Sequence, residues 1–226
     1  MSRVHAALLD PDLRLDSIVA QVRTHDWVQD ARRTAQATIL LVPSAAGLRE
    51  LRCRGKRHLV TGIEQHLQRP PGAGSVPVNW RLVESLPAPG PAPGPAPGQQ
   101  ASAGDSGPDW MPIVSDLVLD RGSRSLACEL LVPYDLPVFD GHFPSKPIVP
   151  GVIQVGWAVE LARANGLATG RLAGISMAKF RRLLQPGLRL AAQLECGARS
   201  GQLEFTYQLG DAVVTIGRLQ FEGCDD

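Results

Sequence analysis

Residues 152–164, with the sequence VIQVGWAVELARA followed by Asn-Gly, form the segment from which the fold class can be worked out. Apart from Gln154, Glu160 and Arg163, every position is apolar or glycine, so no polar stripe follows the helical repeat. A surface helix keeps such a stripe, and a helix that lacks one is buried on all sides. The Asn-Gly pair is a usual C-terminal end of a helix. The sequence therefore predicts a central helix enclosed by other elements.

The segments around this helix have the two-residue period of half-buried strands. Residues 188–196 and 203–209 alternate apolar and polar side chains, and residues 198–201 supply the turn between them. The other predicted strands are 113–119, 125–132, 174–184 and 212–221. An antiparallel sheet wrapped around one helix is the hot-dog arrangement, so we predict an α+β hot-dog domain over residues 109–226.

The loop before the helix contains a long motif with fixed spacing. Residues 139–154 have the sequence FDGHFPSKPIVPGVIQ, and residues 179–187 have the sequence KFRRLLQPG. Both resemble the active-site segments of hot-dog 3-hydroxyacyl-[acyl carrier protein] dehydratases, and the resemblance extends over about residues 112–222. Within it, the Pro-Gly-Val-Ile-Gln run followed by Trp-Ala resembles the branch that serves aryl polyene and related pigment pathways.

The resemblance implies the dehydration of a 3-hydroxyacyl thioester to its trans-2-enoyl product, in fatty-acid or pigment-type biosynthesis. His142 is the implied base for the C2 proton, since imidazole is the side chain that exchanges protons near neutral pH. The N–H of Gly151 opens the helix and, aided by the helix dipole, is the implied donor to the thioester oxygen. The implied substrate-binding residues are Phe143, Pro150, Gln154, Gly156 and Trp157. No metal and no cofactor is implied.

Position 156 departs from the family pattern. These dehydratases have a Glu or Asp 14 positions after the histidine, where this chain has Gly156. The nearest acid of the helix, Glu160, lies on the same face. It is either a catalytic acid that leans over the space left empty at Gly156, or one half of a surface pair with Arg163. Gln154 likewise either orients the substrate or satisfies backbone groups.

Basic residues near the motif also have two interpretations. Lys146, Lys179, Arg181 and Arg182 either form a docking patch for an acidic acyl carrier protein or are solvated charges that protect a strand edge. The resemblance implies an acyl carrier protein as partner, and a homodimer that stands alone or forms part of a larger oligomer.

Residues 1–85 predict a small mixed α/β region. The apolar run 37–42 is a predicted strand, and the apolar spacing from Leu48 onwards predicts a helix. The order of HDWVQDA at 25–31, this strand and helix, and PVNWRLV at 77–83 resembles the C-terminal lid of adenylate-forming acyl ligases. The Gly-Lys of that lid and its large nucleotide-binding domain are not found in the sequence, which implies a remnant without ligase activity.

Residues 86–108 form a predicted linker, with seven Pro and five Gly among 23 residues and three Pro-Ala-Pro-Gly repeats. Such a segment cannot build a core and is partly extended as polyproline II. The 226 residues include 23 Lys and Arg against 22 Asp and Glu, a balance that predicts no nucleic-acid and no membrane partner. Because no run is apolar enough for a membrane span or a signal peptide, we expect a cytoplasmic protein.

Three functions are compatible with these patterns. The first is a hot-dog dehydratase that acts on a carrier-bound 3-hydroxyacyl chain. The second, prompted by Gly156, is a catalytically weakened acyl-binding or partner subunit of a dehydratase complex. The third is a hot-dog thioesterase, for which the fold alone is the argument.

Overall fold

The computed structural model describes residues 11–34, 37–67, 78–87 and 109–222. Two compact units are present, one made of Met1–Pro97 with Phe139–Pro147 and the other of Gly98–Val138 with Ile148–Asp226. The segment Phe139–Pro147 therefore packs with the first unit, whereas the sequence alone assigns it to the second half of the chain. The linker repeats, which fall almost entirely within residues 88–108, lie outside the described residues apart from Pro87.

The first unit contains a three-stranded sheet and two helices. Its elements are α1 (Pro11–Val22), β1 (Val28–Arg33), β2 (Thr38–Pro43), α2 (Ala45–His66) and β3 (Asn79–Leu82). The strand order is β1-β2-β3, in which β1 is antiparallel and β3 parallel to β2. Ile39 and Leu41 of the central strand are fully buried, which agrees with the apolar run seen in the sequence.

Helix α2 bends at Gly55, which has a φ of 81°. A Cβ atom at this position would lie 1.7 Å from the carbonyl oxygen of Pro144, so a side chain has no room. Pro144 belongs to the segment Phe139–Pro147, and this close approach joins that segment to α2 within the first unit. Glycine tolerates both the positive φ and the contact.

The second unit is a six-stranded antiparallel sheet with one helix. Its elements are β4 (Ile113–Asp120), β5 (Ser125–Leu131), α3 (Gly151–Ala164), β6 (Leu172–Phe180), β7 (Arg189–Cys196), β8 (Gln202–Leu209) and β9 (Ala212–Phe221). The strand order is β4-β5-β7-β8-β9-β6, and each neighbouring pair is antiparallel. The predicted hot-dog fold is confirmed.

The core of this unit lies between α3 and the inner face of the sheet. Leu190, Leu194, Leu203 and Phe205 are at most 1% exposed and alternate with exposed or half-buried residues along β7 and β8. The buried residues of α3 are Gln154, Val155, Trp157, Ala158, Val159, Leu161 and Ala162. Val152, however, is 73% exposed. The prediction of burial on all sides is therefore right for the body of the helix and wrong for both ends, since Arg163 and Ala164 are exposed as well. An apolar surface in the sequence does not reveal what covers it.

Strand β6 lies at one edge of the sheet and ends at Phe180. The sequence predicts that this strand continues to residue 184, and that end is wrong. The N–H of Arg181 still donates to the carbonyl of Val214 at 2.7 Å, but Leu184 is fully buried and its carbonyl accepts the N–H of Val149 at 2.8 Å. The chain leaves the sheet after Phe180 because the residues up to Leu184 pack against the segment that leads into α3.

Candidate functional site

The segment that carries His142 forms a short turn of the first unit. The N–H of Lys146 donates to the carbonyl of Phe143 at 2.9 Å, and the N–H of Phe143 donates back to the carbonyl of Lys146 at 3.4 Å. The half-buried His142 imidazole lies nearly parallel to the Phe143 ring, with centroids 4.5 Å apart and 20° between the planes. Phe143 is 51% exposed. The imidazole is thus supported by a ring on one face and remains accessible, as a general base must be.

The start of α3 combines a backbone donor with an apolar ring. The carbonyl of Pro150 accepts the N–H of Ile153 and of Gln154, at 3.1 and 3.2 Å. Gly151 is the first residue of the helix, so its N–H has no carbonyl partner within the helix and lies at the positive end of the helix dipole. A Cβ atom at Gly151 would lie 2.6 Å from Cζ of Phe180. This end of the helix can therefore polarise a carbonyl oxygen beside the Phe180 ring.

Gln154 lies in the interior of the second unit and is 2% exposed. Its Nε2 donates to the carbonyl of Val149 at 2.9 Å, and its Oε1 accepts a hydrogen bond from Oγ1 of Thr215 at 2.5 Å. The hydroxyl of Tyr207 donates to the backbone carbonyl of Gln154 at 3.0 Å. Burial raises the pKa of Tyr207 well above its usual value, which keeps this hydroxyl a donor. The amide of Gln154 is buried and hydrogen-bonded to these partners. The structure therefore favours a role of Gln154 in satisfying buried polar groups over the predicted contact with the substrate.

Position 156 is filled from another part of the second unit. A Cβ atom at Gly156 would lie 3.0 Å from Cζ3 and 3.2 Å from Cη2 of Trp110. The indole ring therefore lies where a side chain at this position would begin. The sequence predicts an empty space here, and this prediction is wrong because Trp110, which lies outside the motif, packs against α3.

Trp157 is a core residue. It is fully buried, and its Nε1–H donates to the carbonyl of Trp110 at 2.8 Å. The substrate contact that the resemblance implies for Trp157 does not fit a side chain without exposed surface. Its observed contact instead holds the backbone of Trp110 in place.

Glu160 lies in the last part of α3 and is partly exposed. Its Oε1 lies 3.6 Å from Nη1 of Arg163, and the two side chains are 41% and 39% exposed. The surface pair, one of the two predicted alternatives, is therefore present. This contact does not test the other alternative, a catalytic role of Glu160, and the variant Glu160→Gln does.

The four basic residues of the predicted docking patch are all exposed. Lys179 lies on the edge strand β6, Arg181 and Arg182 follow that strand, and Lys146 lies in the turn next to His142. Exposure at a sheet edge is what both interpretations require, whether the charges bind an acidic carrier protein or discourage edge-to-edge pairing. Carrier-protein docking stays a prediction.

A cavity of about 300 Å³ lies beyond the C-terminal end of α3. Its lining includes Arg124, Leu167, Cys196, Arg199 and Phe221, and none of the predicted site residues contributes to it. Across the described part of the chain, no group of three or more His, Cys, Asp or Glu side chains is placed to hold a metal ion. No helix in those residues is both long and apolar enough to cross a membrane.

Three residues around α3 were not found by sequence reasoning. Phe180 belongs to the second motif, which was a usable signal for a residue near the site. Thr215 is a polar residue at a fully buried position of β9, a pattern that indicates a hydrogen-bond partner inside. Trp110 has no periodic signal, because it precedes β4 and reaches α3 only through the fold.

In comparisons with known proteins, the second half of the chain is similar to dehydratases. Residues 119–218 match the sequence model of the ApeI-like family, described as ApeI dehydratase. The chain is 34% identical over 120 residues to the 3-hydroxyacyl-[acyl-carrier-protein] dehydratase FabZ of Chlamydia caviae, which covers 46% of this chain and 76% of the relative. It is 40% identical over 86 residues to FabZ of Chloroflexus aggregans, which covers 34% of this chain and 59% of that relative.

Solved structures similar to this chain include a dehydratase complex and a thioesterase superfamily protein. The dehydratase heterocomplex ApeI:P from Xenorhabdus doucetiae has 28% identity and a TM-score of 0.44, and the match covers 48% of this chain and 96% of that one. The thioesterase superfamily protein RHA08564 has 17% identity and a TM-score of 0.35, with coverage of 46% and 54%. Because the family match covers residues 119–218, the likeness of the first half to an acyl-ligase lid stays a prediction.

Proposed function

The chain belongs to the hot-dog family of 3-hydroxyacyl-[acyl-carrier-protein] dehydratases, and from this premise we propose that it removes water from a 3-hydroxyacyl thioester carried by an acyl carrier protein. The product is the trans-2-enoyl thioester. The motif resemblance supports fatty-acid or aryl-polyene-type chain assembly as the setting. A cytoplasmic location is part of the same proposal.

The proposed chemistry uses two groups of this chain. His142 removes the proton from C2, and the electrons delocalise onto the thioester oxygen, where the N–H of Gly151 donates a hydrogen bond. The C3–O bond then breaks as the C2–C3 double bond forms. The imidazolium of His142 returns the proton to the departing hydroxyl, so that water leaves and the atoms balance. This second role falls to His142 because Gly156 has no side chain that holds a proton.

One observation carries the proposal. Helix α3 begins at Gly151, nine residues after His142, and its first N–H lies at the end of a largely buried helix beside Phe180. An N–H that has no carbonyl partner within the helix and that the helix dipole supports can donate to a carbonyl oxygen on which negative charge develops. The position of this donor in the motif agrees with the family to which the chain belongs.

The edge of the sheet supports the proposed dimer. On β6 the apolar residues Ile175 and Phe180 are 50% and 46% exposed, and Leu183 beyond it is 57% exposed. An edge strand offers unpaired backbone groups, and exposed apolar side chains next to it favour pairing with a second chain. We propose a dimer through this edge, with the basic residues after β6 available for an acidic carrier protein.

The test of the proposed function is the variant His142→Ala in the full chain. Purified protein is incubated with a 3-hydroxyacyl carrier protein, and the enoyl thioester is measured by mass spectrometry. We expect His142→Ala to lower turnover by about 10²–10⁴-fold, the usual contribution of a general base. His58→Ala serves as the matched control, since His58 lies on α2 outside the motif and pairs with Glu50. An equally active His142→Ala protein would overturn the proposal.

An acyl-binding or partner subunit without turnover is the second candidate function. Gly156 favours it, because the residue that family members use as acid is missing and Trp110 fills the space. The same assay decides between the two. Binding of the acyl thioester by the wild-type protein without enoyl product would replace the dehydratase proposal by this one.

A further inference from the structure

Trp110 packs directly on the backbone of α3. The nearest atoms to a Cβ built at Gly156 are Cζ3 at 3.0 Å, Cη2 at 3.2 Å and Cε3 at 4.0 Å, all from the six-membered ring of this indole. Distances of 3.0–3.2 Å are shorter than ordinary van der Waals contact between carbon atoms. Any side chain at position 156 therefore requires the indole to move.

The backbone from which the indole projects is held at two points. The carbonyl of Trp110 accepts the Nε1–H of Trp157 at 2.8 Å, and Trp157 is fully buried. Pro112, two residues further along, is also buried, and β4 begins at Ile113 with pairing to Leu131 of β5. Trp110 is thus anchored through its own carbonyl and through the strand that follows it.

Part of Trp110 nevertheless remains exposed, because the residue is only half-buried. An indole has no acceptor and one N–H donor, so it cannot take over the proton chemistry of a carboxylate. Its ring is a large apolar surface against which a hydrocarbon chain gains from burial. The position that holds an acid in related enzymes is therefore an aromatic wall in this chain.

We propose that Trp110 is a specificity-determining residue, whose ring replaces a side chain at position 156 and limits the acyl chains that the site accepts. This inference rests on the proposed function, since it assigns the wall to the same acyl site. Replacing the indole by a small side chain opens space along α3. Longer acyl chains then become better substrates relative to short ones.

The contact itself is tested by thermal unfolding of four proteins: wild type, Trp110→Ala, Gly156→Ala and the double variant. We expect Gly156→Ala to lower the Tm of the wild type, because the new methyl group meets the indole. In the Trp110→Ala background the same change raises the Tm, because alanine favours a helix over glycine. Gly174→Ala is the control, since a Cβ there meets nothing within 4 Å and its effect is the same in both backgrounds. An equal effect of Gly156→Ala with and without Trp110 would overturn the contact.

The specificity is tested with a series of 3-hydroxyacyl pantetheine thioesters of increasing chain length. We expect Trp110→Ala to shift the ratio of kcat/KM for long over short chains by about tenfold or more, and Trp110→Phe to shift it less. If no protein in the set forms enoyl product, the proposed function fails, and the same ratio is read from binding affinities by calorimetry. An unchanged ratio in turnover or in binding would overturn the role of Trp110, whatever the fate of the proposed function.

Discussion

Gly151 and Gly156 lie on the same helix and both face an aromatic ring, but they have opposite consequences for the site. At Gly151 a Cβ atom would lie 2.6 Å from Phe180, which is 46% exposed on an edge strand. At Gly156 it would lie 3.0 Å from Trp110, whose carbonyl accepts a hydrogen bond from the buried Trp157. The first glycine keeps a backbone N–H accessible at the helix start. The second removes a side chain, and a ring from elsewhere takes its place.

In the proposed site the two glycines differ in what they supply: Gly151 contributes a backbone N–H, and Gly156 leaves space that the Trp110 ring takes. What matters at Gly151 is the backbone group, which any residue except proline would retain. What matters at Gly156 is the missing side chain. Variants at and around the two positions distinguish a requirement for the backbone N–H from a requirement for the missing side chain.

Among the variants of helix α3, Gly151→Pro is expected to have the largest effect on turnover. Proline is well tolerated as the first residue of a helix, and Pro150 before it has φ −57° and ψ 149°, the extended conformation that a residue before proline adopts. The variant therefore removes the N–H donor while the helix persists. We expect kcat to fall by about 10²–10³-fold, the cost of losing one oxyanion donor. Steady-state dehydration kinetics and circular dichroism measure activity and helix content.

Gly151→Ala is the matched control for this prediction. It adds a Cβ near Phe180 as proline does, but it keeps the N–H. The atoms nearest this Cβ are the far end of the Phe180 ring, which has to shift for alanine and proline alike, so the two variants differ in the N–H. A loss in Gly151→Ala as large as in Gly151→Pro would show that space, and not the donor, is what the first glycine supplies.

Gln154→Leu is expected to have the largest effect on stability. Gln154 lies between the two glycines, and its removal leaves the carbonyl of Val149 and the hydroxyl of Thr215 buried without these partners. We expect the free energy of unfolding to fall by about 1–3 kcal/mol, measured by urea denaturation. Gln193→Leu, at an exposed position of β7, is the control and should change it by no more than about 0.5 kcal/mol. Similar values for both variants would contradict a structural role of Gln154.

Tyr207→Phe tests the third bond of this network and should have a smaller effect. The variant removes the hydroxyl that donates to the carbonyl of Gln154, at an expected cost of about 1 kcal/mol. A pH dependence follows from the raised pKa of Tyr207, which burial causes, with a smaller contribution from Cys128. Above the usual tyrosine pKa the unfolded chain loses this proton while the folded chain keeps it, so stability falls as the pH rises.

The loss of folding stability at alkaline pH should be smaller in Tyr207→Phe than in the wild type. Urea denaturation at a series of alkaline pH values measures it. An identical pH dependence in both proteins would contradict the assignment to Tyr207. Cys128 contributes a fall of its own in both proteins, because burial raises its pKa to about 11.

Local patterns in the sequence were sufficient for the sheet and the helix but not for the packing between distant residues. The alternation in β7 and β8 and the apolar surface of α3 record which residues face the core, so both were predictable. The motif likewise singled out His142 and Gly151, whose roles stay predictions. Trp110 could not be predicted, because it meets α3 through a contact between residues 47 positions apart and leaves no periodic trace. Nor did any local signal show that the His142 segment packs against Gly55.

Glu160→Gln is expected to have the smallest effect of all, and it tests whether another acid has replaced the one missing at position 156. The carboxylate and Arg163 form a pair 3.6 Å apart with both side chains well exposed, and such pairs contribute at most about 1 kcal/mol to stability. We expect an almost unchanged Tm, and an unchanged kcat in the dehydration assay. Glu160→Asp, which keeps the charge on a shorter side chain, is the matched control. A kcat that falls about a hundredfold in Glu160→Gln and is kept in Glu160→Asp would mean that the carboxylate acts past Trp110, and the contrast between the two glycines would then describe packing alone.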